Sequence, residues 1–277
     1  MLTDSVVLSL YFETPLHAPS GNVLGNIEYP VQRERTTGWP VVYASTLQSA
    51  LRASVAQVHG ESQADEVFGT TGEPGPLSLG DARILLFPVR STVAPFLWVT
   101  CPGVISRARR DLKRTVGLDI AAPPSVKVDE IVMGASWGQA EPTVLAEDIV
   151  LTARKGYDAS GLMALLPSDG SAYEGFGKMV ESCLGVVSDE VFGFLVRTAT
   201  EVRVVDGMLA DAAQPAYDEA VPSDALFYVP VAALGGPQVQ QQSLERFGSC
   251  VGSYLRVGGG EHLGRGWART RLLKAQG

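Results

Sequence analysis

TPLHAPSGNVLGNIEYPVQRERTTGWPVVYASTLQSALR, residues 14–52, carries the chain from a strand to a helix through a loop of unusual length. Most loops in compact domains span a handful of residues, and longer ones are usually functional or disordered. Here Leu16, Val23, Leu24, Ile27, Tyr29, Val31 and Trp39 supply apolar anchors that disorder does not need. Between them stand His17, Ser20, Gly21, Gly25, Glu28, Gln32, Arg33, Glu34, Arg35 and Gly38. Arginines, a histidine and a carboxylate on a glycine-shaped backbone suit a segment that grips a polyanion and could cut it.

Upstream, SVVLSLYFE (residues 5–13) alternates, with Val6, Leu8, Leu10 and Phe12 on one face, which is the period of a strand. Downstream, Ser45-Thr46-Leu47-Gln48 fits a capping box, in which Ser45 and Gln48 each satisfy a free amide. It predicts a helix to about Val58, with Leu47, Ala50, Leu51, Ser54 and Val55 at helical spacing. Its N-terminal amides would face whatever the loop binds. Arg52 lies one turn past Gln48 on the same face; a solvated helix charge is the plainer reading of it.

Further along, Ala82–Phe87 and Phe96–Cys101 read as strands around Pro88-Val89-Arg90-Ser91, and Asp81 with Arg83 as a local ion pair. Pro102 opens a predicted helix over 102–116. It carries Arg107, Arg109, Arg110, Lys113 and Arg114; Arg107, Arg110 and Arg114 share a face. A solvated helix face is the bland reading; the helix offers only Asp111 as an internal partner, which is a point in favour of an external anion. Strands and loops fill 117–170, a helix 171–185, and Ser188 suits the cap of another. ATEVRVVDG, from 199, turns at Asp206-Gly207 and returns towards the strand ALFYVPVAAL, which makes a protruding hairpin. Six acids (Glu201, Asp206, Asp211, Asp218, Glu219, Asp224) face one base, Arg203, so this hairpin would act sterically.

A helix (VQQQSLERFGSCV) and a short strand (SYLRV) precede Gly258-Gly259-Gly260-Glu261-His262-Leu263-Gly264-Arg265-Gly266 and the last strand, WARTRLLK. A glycine-dense turn admits a backbone or a phosphodiester closely. It lacks the Lys-Ser/Thr step of a P-loop, and a bulged hairpin is the other reading. Helices alternating with short strand pairs predict an α+β, ferredoxin-like chain with heavy decoration.

Composition sets bounds. The net charge is −8, from 22 Lys plus Arg against 30 Asp plus Glu, so nucleic-acid binding must come from local basic patches. The three cysteines, Cys101, Cys183 and Cys250, fit no metal spacing and read as reduced thiols. MLTDSVVLSL has no basic leader, and no apolar run spans a bilayer. A cytoplasmic protein without a membrane partner is expected.

Three stretches carry a family resemblance: residues 14–52, GDARILLFPVRSTVAPFLWVTCPGVISR (80–107) and VGGGEHLGRGW (257–267). FGFLVRTATEV (192–202) and YDEAVPSDALFY (217–228) match more weakly. The chain thereby resembles the RAMP superfamily of CRISPR proteins, in particular the backbone subunits of type III-B (Cmr) effector complexes. The resemblance implies a single RAMP domain over 1–277, with an RRM-related palm and a thumb-like insertion around 199–222. It implies an antiviral role: binding guide crRNA, stacking on copies of itself in a filament, and meeting complementary target RNA and other Cmr-complex subunits. The RNA-binding set it implies is Ser20, Gly21, Gln32, Arg33, Arg35, Ser45, Gln48, Arg52, Arg90, Arg107, Gly259, Gly260 and Arg265. The resemblance also implies that target RNA is cut at regular intervals, where the thumb displaces a base pair, by a loop Asp with Mg2+ or another divalent cation.

Two positions depart from the pattern. Glu28 stands where the family has that Asp, and Gln48 where it has a Lys. Glu28 keeps the carboxylate and adds a methylene; His17 matches the family's histidine and is the candidate acid or base. One expectation is a guide-binding architectural subunit whose slicing is weak or absent. A second is an active metal-dependent endoribonuclease using Glu28 as catalytic residue and metal ligand. A third, outside any filament, is a stand-alone ribonuclease processing precursor guides. Arg33 and Arg52 are expected to touch phosphates, so that their loss would flatten the salt dependence of binding.

Overall fold

A computed structural model describes residues 5–21, 27–70, 72–138, 142–168, 170–205 and 216–275. Val23, Leu24 and Gly25 of the loop, and Asp206, Gly207 and Asp211 of the hairpin, lie outside the described residues.

Ser5–Phe12 (β1) forms as its alternation predicts, but all eight residues are buried. The physical reason is that the helix Pro102–Val116 and the segment around Leu165 and Tyr173 cover the face that carries Ser5, Ser9 and Tyr11, so its polar members need internal partners. Ser5 and Ser9 find them by donating to the carbonyls of Thr115 (2.8 Å) and Leu165 (2.7 Å).

Next come the helices Ala44–His59 (α1) and Glu61–Phe68 (α2), then the strands Ala82–Arg90 (β2) and Phe96–Thr100 (β3). Pro102–Val116 (α3), Glu130–Gly134 (β4), Thr143–Ala146 (β5) and Ile149–Tyr157 (β6) follow. Phe176–Cys183 (α4), Leu184–Val187 (β7) and Asp189–Thr198 (α5) lead to the strands Glu201–Val205 (β8) and Ala216–Ala220 (β9). Leu226–Ala233 (β10), Pro237–Cys250 (α6), Tyr254–Arg256 (β11) and Trp267–Lys274 (β12) complete the chain.

The main sheet runs β11-β12-β1-β10-β2-β3-β7-β4-β6-β5. Within it, β12-β1-β10-β2 pair antiparallel throughout. With α1 between β1 and β2, and α6 between β10 and β12, this is the ferredoxin-like order expected. The decoration is inserted between β2 and β10, where a hairpin turn would otherwise sit. It extends the sheet through β3 to β7 and adds β8 and β9, an antiparallel pair separate from the main sheet.

Helix α1 buries Leu47, Leu51 and Val55, one residue per turn. α3 buries Val104, Ile105, Ala108, Leu112 and Val116 against β1, β10 and β2. Each large aliphatic side chain so buried contributes roughly 1.5–3 kcal/mol. Ser188 caps α5, its hydroxyl accepting from the Val191 amide at 3.2 Å. No helix among the described residues is long and apolar enough to cross a membrane.

Three local readings are corrected. The capping box does not form: α1 starts at Ala44, and its Ala44 amide donates to Asp81 Oδ1 at 2.8 Å. Asp81 thus serves as a remote cap, leaving Ser45 and Gln48 exposed; Gln48 Nε2 donates to the Phe68 carbonyl at 3.3 Å. Arg83 pairs with Asp111 at 2.6 Å instead of Asp81. Four of the five cations of α3 also have partners within the chain, Arg110 with its neighbour Asp111 and the others with acids outside the helix. Arg107 pairs with Glu34 at 2.5 Å, while Arg109 (2.8 Å) and Lys113 (3.0 Å) share Asp119.

Candidate nucleic-acid interface

The long loop is held because its backbone is laced twice to β9. On its outward pass Leu16 and Val221 exchange hydrogen bonds, at 2.8 and 2.9 Å. On its return, Tyr29 lies parallel to Asp218: its amide donates to Tyr217 O (3.3 Å), and its carbonyl accepts from Glu219 N–H (3.1 Å). The two passes also bond each other, Ser20 N–H to Pro30 O and Gln32 N–H to Ala18 O.

Asp218 and Glu219 are consecutive in β9, so their side chains leave opposite faces of the strand. Glu219 meets Arg33 Nη2 at 2.5 Å and also accepts from the Val31 amide (3.0 Å) and the Thr200 hydroxyl (2.8 Å). Asp218 meets Arg265 Nη1 at 2.5 Å, with both side chains buried. One strand of the hairpin is therefore clamped to the loop on one side and to the glycine-rich turn on the other.

His17 and Glu28 hang from the same strand. His17 Nδ1 lies 2.8 Å from the Glu219 carbonyl, and Glu28 Oε2 accepts from the Tyr217 amide at 2.7 Å. Their attachment points are two residues apart, about 7 Å along a strand. A carbonyl only accepts, so Nδ1 carries a proton there, and the neutral ring presents Nε2 as its base. The glycine turn packs directly beneath: Gly259 N–H donates to His17 O at 2.8 Å, and Gly258, at φ +84°, approaches the same carbonyl too closely for a Cβ.

The expected RNA-binding residues divide into two groups. Gln32 is buried and clamps the loop, its Nε2 donating to Pro19 O and Thr46 Oγ1 and its Oε1 accepting from the Tyr43 amide. Arg33 and Arg265 are spent on Glu219 and Asp218, and Arg33 also donates to the carbonyls of Gly38 and Val196. Arg107 sits over the Trp39 ring, 5.1 Å from its centroid, beside Glu34. Arg52 binds Asp65, Glu61 and the Gly69 carbonyl. These arginines therefore all have partners within the chain that brace the scaffold. Arg35, Gly21 and Ser45 are exposed, and Ser20 and Gly259 are partly exposed. Arg90 is exposed too, although Glu147 neutralises it at 2.6 Å. Gly260 holds a left-handed turn against the Arg265 side chain.

Among the described residues no three His, Cys, Asp or Glu side chains converge on a metal position. Mg2+ binds through one or two carboxylates plus substrate oxygens. Here Glu28 is a single carboxylate with one oxygen already bonded, so the described residues build no cage for a resident cation.

This arrangement defines a class before any particular relative. The RAMP superfamily model matches residues 9–269, and the chain belongs to the RAMP superfamily. It is 30% identical over 284 residues to the CRISPR system Cmr endoribonuclease Cmr4 of Pyrococcus furiosus, covering 96% of this chain and 95% of the relative. The crystal structure of oligomeric Cmr4 from Pyrococcus furiosus superimposes with a TM-score of 0.74 at 28% identity, covering 98% of each chain. A chain of the type III-B Cmr-beta complex bound to cognate target RNA superimposes with a TM-score of 0.69 over 97% of each chain; at 16% identity it speaks for the fold alone.

Proposed function

We propose that this chain is a crRNA-binding backbone subunit of a type III-B CRISPR effector complex. In this reading it stacks on copies of itself along the guide and meets target RNA and the other Cmr subunits. The whole chain forms one RAMP domain, and the β8–β9 hairpin is its thumb. The observation that carries this reading is end-to-end likeness to Cmr4, at 30% identity over 96% of the chain. The loop, thumb base and glycine turn, braced together by Arg33–Glu219 and Arg265–Asp218, are the surface proposed to hold the guide. Exposed Arg35, Ser20, Gly21 and backbone amides would supply the contacts. A gel-shift titration with guide RNA tests this: Arg35→Ala should weaken binding and lower the salt slope, since a lost phosphate contact reduces that slope by about one. An unaltered slope and affinity would remove Arg35 from the interface.

The anchoring of His17 and Glu28 to one strand, β9, favours a second reading, in which the subunit also cuts target RNA. His17 Nε2 would take the proton of an attacking ribose hydroxyl, a role worth about 10²- to 10⁴-fold. Glu28 would stabilise the reacting centre, directly or with a cation recruited along with the RNA. The assembled complex is given complementary RNA and Mg2+. Regularly spaced products that vanish with Glu28→Ala and His17→Ala support cutting. An inert wild type that Glu28→Asp activates would show that the extra methylene has abolished it.

A further inference from the structure

Beside the glycine turn lies a groove of about 620 Å³, between α1 and the β11–β12 edge. Ligand sites typically span about 300–1,000 Å³. Ser54 and Gln57 line one wall, and Tyr254, Arg256 and Trp267 the other. Ala50 and Ala53 keep the helix side shallow, so that room remains between the walls.

The β11–β12 pairing sets the chemistry of the second wall. Arg256 opposes Trp267 and Tyr254 opposes Arg269, so these four side chains share one sheet face, while Leu255 and Ala268 fill the core. Three of the four are already engaged. Arg256 pairs with Glu261 at 2.9 Å, and the Arg269 guanidinium covers the Tyr254 ring at 4.6 Å. Trp267 has its backbone pinned, its amide donating to Thr14 Oγ1 (2.9 Å) and its carbonyl accepting from Glu13 N–H (2.9 Å). Trp267 as a residue is 43% exposed, whereas Trp39, Trp98 and Trp137 are all under 10%.

We infer that this groove receives one unstacked base of single-stranded RNA, stacked on Trp267, with its edge towards Gln57 and Ser54. The groove offers a large open ring, hydroxyl and amide groups, and a cation already neutralised by Glu261. That set suits a base and its edge better than a phosphate. Pro19, Gln32 and Gly259 line the same groove, so it runs on from the surface proposed to hold the guide. The inference rests on that guide-binding reading and deepens it.

Tryptophan emission tests it, because Trp267 is the exposed tryptophan of the four in the chain. The full-length protein is titrated with a single-stranded homopurine RNA. Emission should quench on binding, and the quench should vanish in Trp267→Ala. Affinity in that variant should fall roughly 5- to 150-fold with the salt slope unchanged, while Trp267→Phe keeps most of it. RNA that binds at full affinity to Trp267→Ala, or binds wild type without altering the emission, overturns the inference and leaves guide binding intact. RNA that fails to bind wild type overturns both. Emission that follows protein concentration and ignores RNA would assign the groove to a second copy of the chain, and so overturn it too.

Discussion

Arg33 and Glu219 stand 186 residues apart in the chain and 2.5 Å apart in space. Their side chains are 15% and 3% exposed, and Glu219 has further donors in Val31 and Thr200. This pair ties the loop that follows β1 to the base of the hairpin, where His17 and Glu28 of that loop bond to the same strand.

Arg33→Ala should therefore act on stability before it acts on RNA. Removing one member of a buried pair leaves the other charge uncompensated, at a cost of about 3–5 kcal/mol. Chemical denaturation should show that loss. Glu219→Gln keeps the size but turns one of two accepting oxygens into a donor NH2, so it should lose stability as well. The salt slope of RNA binding should be unchanged in whatever folded Arg33→Ala remains, in contrast to a phosphate-contacting arginine.

The glycine turn gives a second contrast. Gly258 and Gly21 have similar backbones, at φ +84° and +76°. A Cβ at Gly258 would lie 2.2 Å from the His17 carbonyl, whereas nothing lies within 4 Å at Gly21. Gly21→Ala should cost only the left-handed penalty, about 1–2 kcal/mol. Gly258→Ala adds a clash with backbone that cannot step aside, so its melting temperature should fall further, and the His17 contact should be lost with it.

Asp224 predicts a pH dependence. Burial, the larger influence, holds its carboxyl above the ordinary 3.8, although the Tyr11 hydroxyl it accepts pulls the other way. A carboxyl raised in the folded state binds its proton more tightly there than in the unfolded chain. Its contribution is fully present below 3.8 and fades as pH rises through the raised value. Asp224→Asn keeps an acceptor for Tyr11 and tolerates the local φ of +72°. Denaturation between pH 4 and pH 7 should show that this fading component is absent from the variant.

Much of the scaffold is legible from local pattern. The alternation of Ser5–Phe12, the proline start of α3 and the Ser188 cap each depend on residues a few positions apart. What escapes is set at long range. Arg33, Arg107 and Arg265 look like free cations because Glu219, Glu34 and Asp218 reach them only after folding. A signal was available: Tyr217-Asp218-Glu219-Ala220-Val221 puts two adjacent acids in a strand-like run, so each face of that strand needs a cation. The capping box fails for a similar reason, since Asp81, just before β2, takes the Ala44 amide at the end of α1. At the centre of the site, Glu28 is legible as a carboxylate, but its bond to the Tyr217 amide is not.

The central claim is that this chain assembles along a guide RNA. The most direct measurement is native mass spectrometry of the purified chain on guide RNAs of increasing length, with the other Cmr subunits present. The account predicts that copies of the chain add one at a time, at a constant increment of RNA length. A single copy at every length, or a chain left free of RNA throughout, would contradict it.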